Sequence, residues 1–443
     1  MQRIIRKVVM FSRRPKVTPE DVPADDTTLA TAEAQTVAVP VAPSPPAKSG
    51  TPVQHKDYFE VEALLESIRS GAIAALRGSY VVELHDKKKP IAHRQALPAK
   101  AFWTADQLSS IFDKLVKKYK RKEATKRFCK IFVGLSYRWL DKGRPDPDRF
   151  HLSRVGEAAR LYISDKPKAT SLYHLVFTPI GLKKVDFALF WDFASLYQGD
   201  RTPEQKELFF RGLKASNIWY GHRHTVMWMQ QNLPDGFADR MEAVGLASTY
   251  AGSGWCYVEA CLSSVLKPRE QRLDLGARDK SSKTYADMMT ECVAGREPPV
   301  TPERAALALR TEKQFTSRAD VETVVGLYDD FFSAVAPKLD SLWLSNLGWG
   351  VSEVELTMDA VDALFPKVET LCFDGDAVLN VRELRGDISK PRLDLAGLGL
   401  TALSGCAIAR LIAGNGSLME VRLDRTLQSR VHAHGLIVAS FDR

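Results

Sequence analysis

Glu259 is the residue of this chain whose type and setting point most directly to chemistry. It lies beside Trp255 in the segment YAGSGWCYVE, residues 250–259, at the start of an apolar run with helical spacing. Ser253 and Gly254 are suited to begin that helix, which places Glu259 about one turn inside it. A carboxylate there either belongs to a site or is a solvated residue that the helix dipole stabilises, and this segment alone leaves both interpretations open.

Two polar clusters elsewhere in the chain follow apolar runs that indicate buried strands. The runs are KIFVGLSYRWL over residues 130–140 and VDFALFWDFASLYQ over residues 185–198. Strands of this kind that alternate with helices predict an α/β fold, with a parallel sheet covered by helices on both faces. Ligands bind such sheets at the carboxyl ends of the strands, where the clusters lie. The polar residues of the two clusters are Ser136, Tyr137, Arg138, Asp192, Ser195 and Gln198.

These segments resemble parts of TIR domains. The triplet SYR, residues 136–138, follows a short apolar strand as in the first strand of that family. The pattern Y-A-x-S-x-W-C-x-x-E, residues 250–259, is similar to the third helix, which in plant immune receptors of the family reads much like YASSxWCLxEL.

The same positions also resemble fungal heterokaryon-incompatibility (HET) domains, which are TIR-like. LSYRW, residues 135–139, is similar to LSYxWG; WDFASLYQ, residues 191–198, to WIDxxCINQ; and GWCYVE, residues 254–259, to RGWTLQE. The resemblance spans residues 128–266, about a third of the chain. It implies a flavodoxin-like parallel sheet with helices on both faces for a domain that we place at residues 128–295.

The resemblance also implies a chemistry, because some TIR domains cleave the nicotinamide ribosyl bond of NAD. That reaction needs a carboxylate near a ribose carbon that becomes cationic, and nicotinamide leaves as a neutral ring without a general acid. By motif position, Glu259 would be the catalytic carboxylate and Trp255 a neighbouring aromatic wall. Ser136, Tyr137 and Arg138 would approach the dinucleotide, with Arg138 pairing to phosphate.

The resemblance assigns Asp192 and Ser195 to ordering this site, yet each assigned residue also has a purely structural interpretation. Trp255 would face the core, and Arg138 would pair with Asp192 or Asp146. Asp192 would cap the turn after its strand. Ser136 would bond the backbone.

Two functions therefore remain open at this stage. The chain is either an NAD nucleosidase that uses NAD as substrate and needs no cofactor, or a non-catalytic TIR-like scaffold. Both interpretations expect self-association or a protein partner in signalling or recognition. Fold alone does not decide between them, since one fold hosts many functions.

Composition limits the other classes of function. Apolar residues make up 45% of the 443 residues and charged residues 26%, which is typical of a globular protein with two or three domains. The six cysteines show no C-x-x-C spacing and form no His/Cys cluster, so the sequence predicts no metal site, and cysteine usage of this kind suits a reducing compartment. No run of 18 apolar residues indicates a membrane span.

A concentration of positive charge offers a weaker alternative. The segment from Lys114 to Lys130 holds nine basic residues against one acidic residue, and we predict a helix that leads into the first strand. Such a segment is either a solvated helix face or a surface for phosphate, nucleic acid or an anionic membrane. Tyr119 and Phe128 are too few aromatic residues for base stacking, which argues against nucleic acid.

The remaining segments set the predicted domain boundaries. Residues 1–56 form a basic tail and a Pro/Ala-rich linker without the apolar residues needed to fold. The first 16 residues hold six Lys/Arg and no acid, so either an organelle transit peptide or a cytoplasmic protein with a basic tail is expected. Residues 57–127 indicate an α-rich preface, in which SYVVEL, residues 79–84, is strand-like. Residues 296–337 indicate a helical connector.

The C-terminal residues 338–443 contain a degenerate repeat. Short strand-like segments recur at intervals of 29, 22 and 28 residues, from Leu342 through Leu371 and Leu393 to Val421. The last interval resembles a leucine-rich repeat of the ribonuclease-inhibitor type, with a turn at Asn415. We expect a short βα array that acts as a partner surface or as a cap on the central domain.

Overall fold

The computed structural model describes residues 57–164, 171, 173–279 and 282–423. The predictions of a disordered tail over residues 1–56 and of a transit peptide lie outside these residues, as does the end of the repeat segment.

The central element is a five-stranded sheet with strand order β1-β3-β2-β4-β5. The strands β2, β3, β4 and β5 are parallel, and β1 is antiparallel at one edge. Every residue of β2 and β4 is buried, as expected for parallel strands covered on both faces. The strands are β1 (Leu76–Arg77), β2 (Phe132–Tyr137), β3 (Ala188–Phe190), β4 (Val226–Gln230) and β5 (Arg272–Asp274).

Helices cover both faces of this sheet, which confirms the predicted α/β class. On one face α5 packs with α2 and α10, and on the other α7 and α9 pack together, with α1 and α12 against α7. The helices of the described residues are α1 (Val61–Arg69), α2 (Gly78–Asp86), α3 (Ala105–Lys118), α4 (Arg121–Phe128), α5 (Phe150–Ser164), α6 (Asp192–Ser195), α7 (Pro203–Gly221), α8 (Phe237–Glu242), α9 (Gly254–Leu266), α10 (Tyr285–Glu291), α11 (Pro302–Thr311), α12 (Asp320–Val335), α13 (Val351–Leu364), α14 (Val381–Arg385) and α15 (Ala402–Ile412).

The strand prediction for SYVVEL is wrong, because these residues lie in α2. Val81 and Leu84, three positions apart, are both buried, and α2 packs against α5. At the first turn the Asp186 carboxylate accepts hydrogen bonds from the backbone N–H of Ser79 (2.8 Å) and from its hydroxyl (2.8 Å). Tertiary contacts therefore override the strand preference of tyrosine and valine. The strand that the preface does contribute is β1, just before this helix.

We predict that Gly78→Ala destabilises the protein by about 1–3 kcal/mol, as overpacking of a core does. A Cβ at Gly78 would lie 2.1 Å from the ring of Phe187, which is fully buried. Gly326→Ala in α12 is the matched control, because a Cβ there meets nothing within 4 Å and alanine favours a helix over glycine by about 1 kcal/mol. Urea unfolding checks both variants. Equal stability of the two variants would contradict the packing at Gly78.

The predicted helical connector forms α11 and α12. The apolar face of α12 is buried and contacts α7, α9 and α11. Phe331 packs edge to face on Tyr58 at 4.9 Å between ring centroids, which ties this helix to the residues before α1. The connector therefore belongs to the same core as the central sheet.

The C-terminal residues form βα units with short strands. Strands β6 (Ser341–Trp343) and β7 (Thr370–Cys372) are parallel, with β8 (Leu379–Asn380) antiparallel to β7. A second parallel pair consists of β9 (Arg392–Asp394) and β10 (Glu420–Arg422), while α13 packs against α15. Within the described ranges, no helix has the length and apolar character needed to cross a membrane.

Candidate functional site

The candidate site lies at the carboxyl end of β2, where helix α9 crosses the sheet. Ser136 is fully buried in β2. Its hydroxyl donates a hydrogen bond to Glu259 Oε2 and shares a 2.6 Å hydrogen bond with the hydroxyl of Tyr250. Because one hydroxyl has one proton, Tyr250 is the donor in the second bond. The structure thus brings together two residues of the predicted site that are 123 positions apart.

Helix α9 positions Glu259 as the sequence predicts. The helix begins at Gly254, whose backbone N–H donates to Gln314 O at 3.0 Å, and ends at Leu266, two residues before Pro268. The buried face of α9 includes Val258 and Leu262, which packs the helix on the sheet. Glu259 therefore projects toward the end of the central strand and remains partly exposed.

Burial sets the protonation of Glu259. Desolvation raises the pKa of this carboxyl from 4.5 to about 8. The hydrogen bond from Ser136 lowers the pKa, the negative charge of Asp192 raises it, and a hydrogen bond with Tyr220 lowers it. Glu259 is thus largely protonated at pH 7 in the free protein, and a cationic ligand would favour its ionised form.

Asp192, which lies just after β3, orders two aromatic side chains at the end of β2. Its carboxylate accepts hydrogen bonds from Tyr137 Oη (2.7 Å), Trp139 Nε1 (2.8 Å) and the backbone N–H of Phe193 (2.6 Å). Burial raises the pKa of Asp192 despite these three donors. Asp192 is the first residue of α6, whose N-cap residue is Trp191 without a side-chain capping bond, so Asp192 does not form the predicted cap.

Arg138 is buried without a carboxylate partner among the described residues. Its Nε donates to Ala247 O at 3.4 Å and a terminal nitrogen donates to Trp139 O at 3.3 Å. The pairing with Asp192 or Asp146 considered from the sequence is absent from the described residues. Asp146 instead accepts from backbone N–H groups at the start of α5. Arg138 faces the loop before α9, and burial lowers its pKa.

The two other predicted residues, Trp255 and Ser195, have hydrogen-bond partners other than Glu259. The indole Nε1 of Trp255 donates to Asp320 Oδ2 at 3.1 Å, so this partly exposed ring is held by α12. Ser195 is buried, and its hydroxyl accepts from the backbone N–H of Trp191 at 3.1 Å. Ser195 therefore stabilises the turn after β3.

Sequence reasoning missed three residues that shape the site. Tyr250 was part of the matched motif but was not assigned a contact. Tyr220, near the end of α7, donates to Leu135 O at 3.1 Å and interacts with Glu259. The thiol of Cys256 is buried, and burial together with the charge of Glu259 raises its pKa. No pattern in the sequence signals Tyr220, because it comes from a different helix.

The basic segment lies on the surface of the preface, apart from the candidate site. It forms α3 and α4 with a break at Tyr119 and Lys120, where one helix was predicted. Arg127 pairs with Glu123 at 2.5 Å.

No group of three or more His, Cys, Asp or Glu side chains that could hold a metal ion occurs in the part of the chain that the structure describes.

We predict that Ser136→Ala raises the pKa of Glu259 further above its usual range. The substitution removes the Ser136 hydrogen bond, which favours the ionised carboxylate. The carboxyl ¹³C shift of Glu259, followed by NMR as pH rises, measures the change. Ser109→Ala is the control, because this α3 hydroxyl has no hydrogen-bond partner among the described residues. An unchanged midpoint in Ser136→Ala would contradict the assigned hydrogen bond.

Comparison with known proteins identifies no relative: no protein-family model matches this chain, and no curated protein or solved structure matches it significantly.

Proposed function

We propose that this chain is a TIR-like signalling or recognition protein that acts by association with itself or a partner, and that Glu259 cleaves NAD at the nicotinamide ribosyl bond. The observation that carries this proposal is the contact between Glu259 and Ser136 at the carboxyl end of the central parallel strand. A half-buried carboxyl group with a raised pKa at such a strand end is a functional-site candidate on physical grounds.

The strand order supports the TIR-like assignment. Numbered along the chain, the four parallel strands have the spatial order 2-1-3-4, which matches the first four strands of a flavodoxin-like sheet. In that topology the ligand crevice lies between the first and third strands, here β2 and β4. Ser136 is in β2 and α9 follows β4, so both belong to elements that border this position of the sheet.

The proposed reaction uses Glu259 in its ionised form. Water adds to the ribose C1 as the bond to the nicotinamide nitrogen breaks, and the bonding electrons leave with neutral nicotinamide. The products are nicotinamide, ADP-ribose and one proton. An ionised carboxylate beside C1 stabilises the positive charge that develops there. The cationic nicotinamide ring of the substrate would also lower the pKa of Glu259 on binding.

Arg138 is the proposed partner of the dinucleotide phosphates. Among the described residues, its buried guanidinium makes two long hydrogen bonds to backbone oxygens, 3.3 and 3.4 Å, and no ion pair with a carboxylate. A phosphate would supply the missing charge through charge-assisted hydrogen bonds. Tyr137 and Trp139, both fixed by Asp192, would hold this end of β2 in place.

The geometry of the C-terminal units supports the proposal that they form a short leucine-rich-repeat-like array. Asn415 closes the turn before β10, as its side chain donates to the carbonyls of Glu383 (3.0 Å) and Leu384 (2.9 Å) and accepts from backbone N–H groups of residues 417 and 418. Parallel strands with helices behind them form the unit of such arrays. This segment is the proposed partner surface.

The second candidate function is a non-catalytic interaction scaffold. It is favoured by exposed apolar side chains at the strands of the C-terminal units, where Trp343 is 52% exposed and Met419 is 77% exposed. A nucleic-acid or anionic-surface binder that uses Lys114 to Lys130 is a weaker alternative, and it predicts steeply salt-dependent binding.

Nicotinamide release tests the proposal. The full chain is incubated with NAD over a range of protein concentrations, and the products are separated by chromatography. Release that increases faster than protein concentration supports cleavage by an assembled form. Self-association of the chain without nicotinamide release at any protein concentration favours the scaffold function and contradicts the proposed chemistry.

A further inference from the structure

A cavity of about 510 Å³ opens between the preface and the residues that follow β2 and β3. His93 and Gln95 line it from the preface, Trp139 from the residues after β2, and Phe193, Gln198 and Asp200 from the residues after β3. None of the catalytic or phosphate-binding residues proposed above lines this cavity. Its volume is in the range of small-molecule sites.

Three aromatic rings form walls of this cavity at nearly right angles. The Trp139 and Phe193 rings are 5.8 Å apart between centroids with an interplanar angle of 86°. The His93 and Phe193 rings are 6.2 Å apart at 80°. Aromatic cages for organic cations are built from rings set at such angles around one cation, and here the three rings border a cavity that is open to solvent.

Hydrogen bonds hold these walls in place without a ligand. Trp139 Nε1 donates to Asp192 at 2.8 Å, which fixes the indole. The Gln95 side chain donates to Gln198 O at 2.7 Å and accepts from Gln198 N at 3.2 Å, which joins the preface to the residues after β3. The cavity is therefore preorganised, and a ligand need not order its walls.

The charge of the lining favours a positive ligand. Asp200 is the carboxylate among the lining residues, and the lining includes no lysine or arginine. Asp200 is exposed and makes no ion pair with a described residue. Basic residues next in sequence to lining residues include Arg94, Lys142, Arg144 and Arg201. Arg94 and Arg201 donate to backbone carbonyls, and Arg144 is paired with Asp141 at 3.5 Å.

A neutral nucleobase fits this lining less well. Base recognition uses free donor and acceptor groups such as carboxamides. The carboxamide of Gln95 is already bonded to Gln198, and the carboxamide nitrogen of Gln198 donates to the carbonyls of Asp192 (3.2 Å) and Leu196 (3.3 Å). The carboxamide oxygen of Gln205, the third in the lining, accepts from the backbone N–H of Thr202 at 3.3 Å.

We propose that this cavity binds a small organic cation of the quaternary or methylated ammonium class, with the cation against Trp139, Phe193 and His93 and its charge balanced by Asp200. The proposal does not depend on the cleavage of NAD. The same chemistry is found in a free quaternary amine and in a methylated lysine side chain of a partner peptide.

Calorimetric titration of the full chain with choline tests this proposal, with 3,3-dimethyl-1-butanol as the neutral probe of the same shape. We expect the wild-type protein to bind choline and to bind the neutral probe at least tenfold more weakly, because cation–π attraction requires the charge. Equal binding of the two probes, or no binding of choline, would overturn the proposal.

Two variants locate the binding. His93→Ala removes an exposed wall and is expected to weaken choline binding by about three- to tenfold. Asp200→Asn is expected to weaken it by about two- to fivefold, the scale of an exposed ion pair. Asp113→Asn, an exposed carboxylate on α3, is the matched control and should bind choline like the wild type. Unchanged affinity in both cavity variants would place the binding elsewhere and contradict the proposal.

A trimethyllysine peptide distinguishes the two sources of the cation. Binding of this peptide at least tenfold tighter than choline, lost on removal of the methyl groups, supports a partner protein as the source. Similar affinity for the peptide and for choline supports a free small molecule.

Discussion

Glu259→Gln is expected to lower the rate of NAD cleavage by roughly 10²–10³-fold, the loss seen when a group that stabilises transition-state charge is removed. Glutamine has the shape of protonated glutamate and can still accept the hydrogen bond from Ser136, so the fold is expected to persist. It cannot carry the negative charge that the developing cation at C1 requires.

The control for this substitution is Glu242→Gln. Glu242 is an exposed carboxylate in α8, so its loss should leave cleavage within about twofold of wild type. Rates of nicotinamide release from NAD are compared at equal protein concentration, with circular dichroism to verify folding. Retention of a third or more of the wild-type rate in Glu259→Gln would contradict the assigned role of this residue.

The free energy of unfolding should depend on pH differently in the wild type and in Glu259→Gln. The folded-state pKa of Glu259 is about 8 and its ordinary value is 4.5, so the folded protein binds more protons than the unfolded chain between these values. The stabilisation from this group is fully present below pH 4.5 and is lost as pH rises through about 8. Glutamine stays neutral at every pH, so the variant does not lose stability in this way as pH rises.

The free energy of unfolding of Glu259→Gln should therefore increasingly exceed that of the wild type as pH rises. One pKa unit corresponds to about 1.4 kcal/mol, and partial exposure of Glu259 reduces the full effect to on the order of 2–4 kcal/mol above pH 8. Urea unfolding at pH 5 and pH 9 measures the difference. Parallel stability curves for wild type and variant across this interval would show that Glu259 does not titrate as described.

The sequence predicted the elements of the site better than their contacts. Its helix from about Ser253 to Pro268 corresponds to α9, because the apolar spacing and the terminating proline are local signals. The buried run at residues 130–140 contains β2 for the same reason. The strand prediction for residues 185–198 is too long, because the strand is limited to Ala188–Phe190 and α6 follows it.

The contacts required the three-dimensional structure. Nothing local to Ser136 indicates that its hydroxyl meets both Tyr250 and Glu259, since these partners are more than a hundred residues away. The error at SYVVEL has a similar cause, because Asp186 and α5 decide the conformation of these residues. Local propensity is a weak guide where distant residues supply the packing.

The pH dependence of kcat/KM for NAD cleavage by the wild-type protein is the sharpest test of the proposed function, because it links the half-buried carboxyl of Glu259 to the chemistry. We expect a plateau above about pH 8 and a fall of about tenfold per pH unit below it, since kcat/KM reports the pKa of the free protein. A rate that is constant from pH 6 to pH 9, or the absence of nicotinamide release throughout this range, would contradict it.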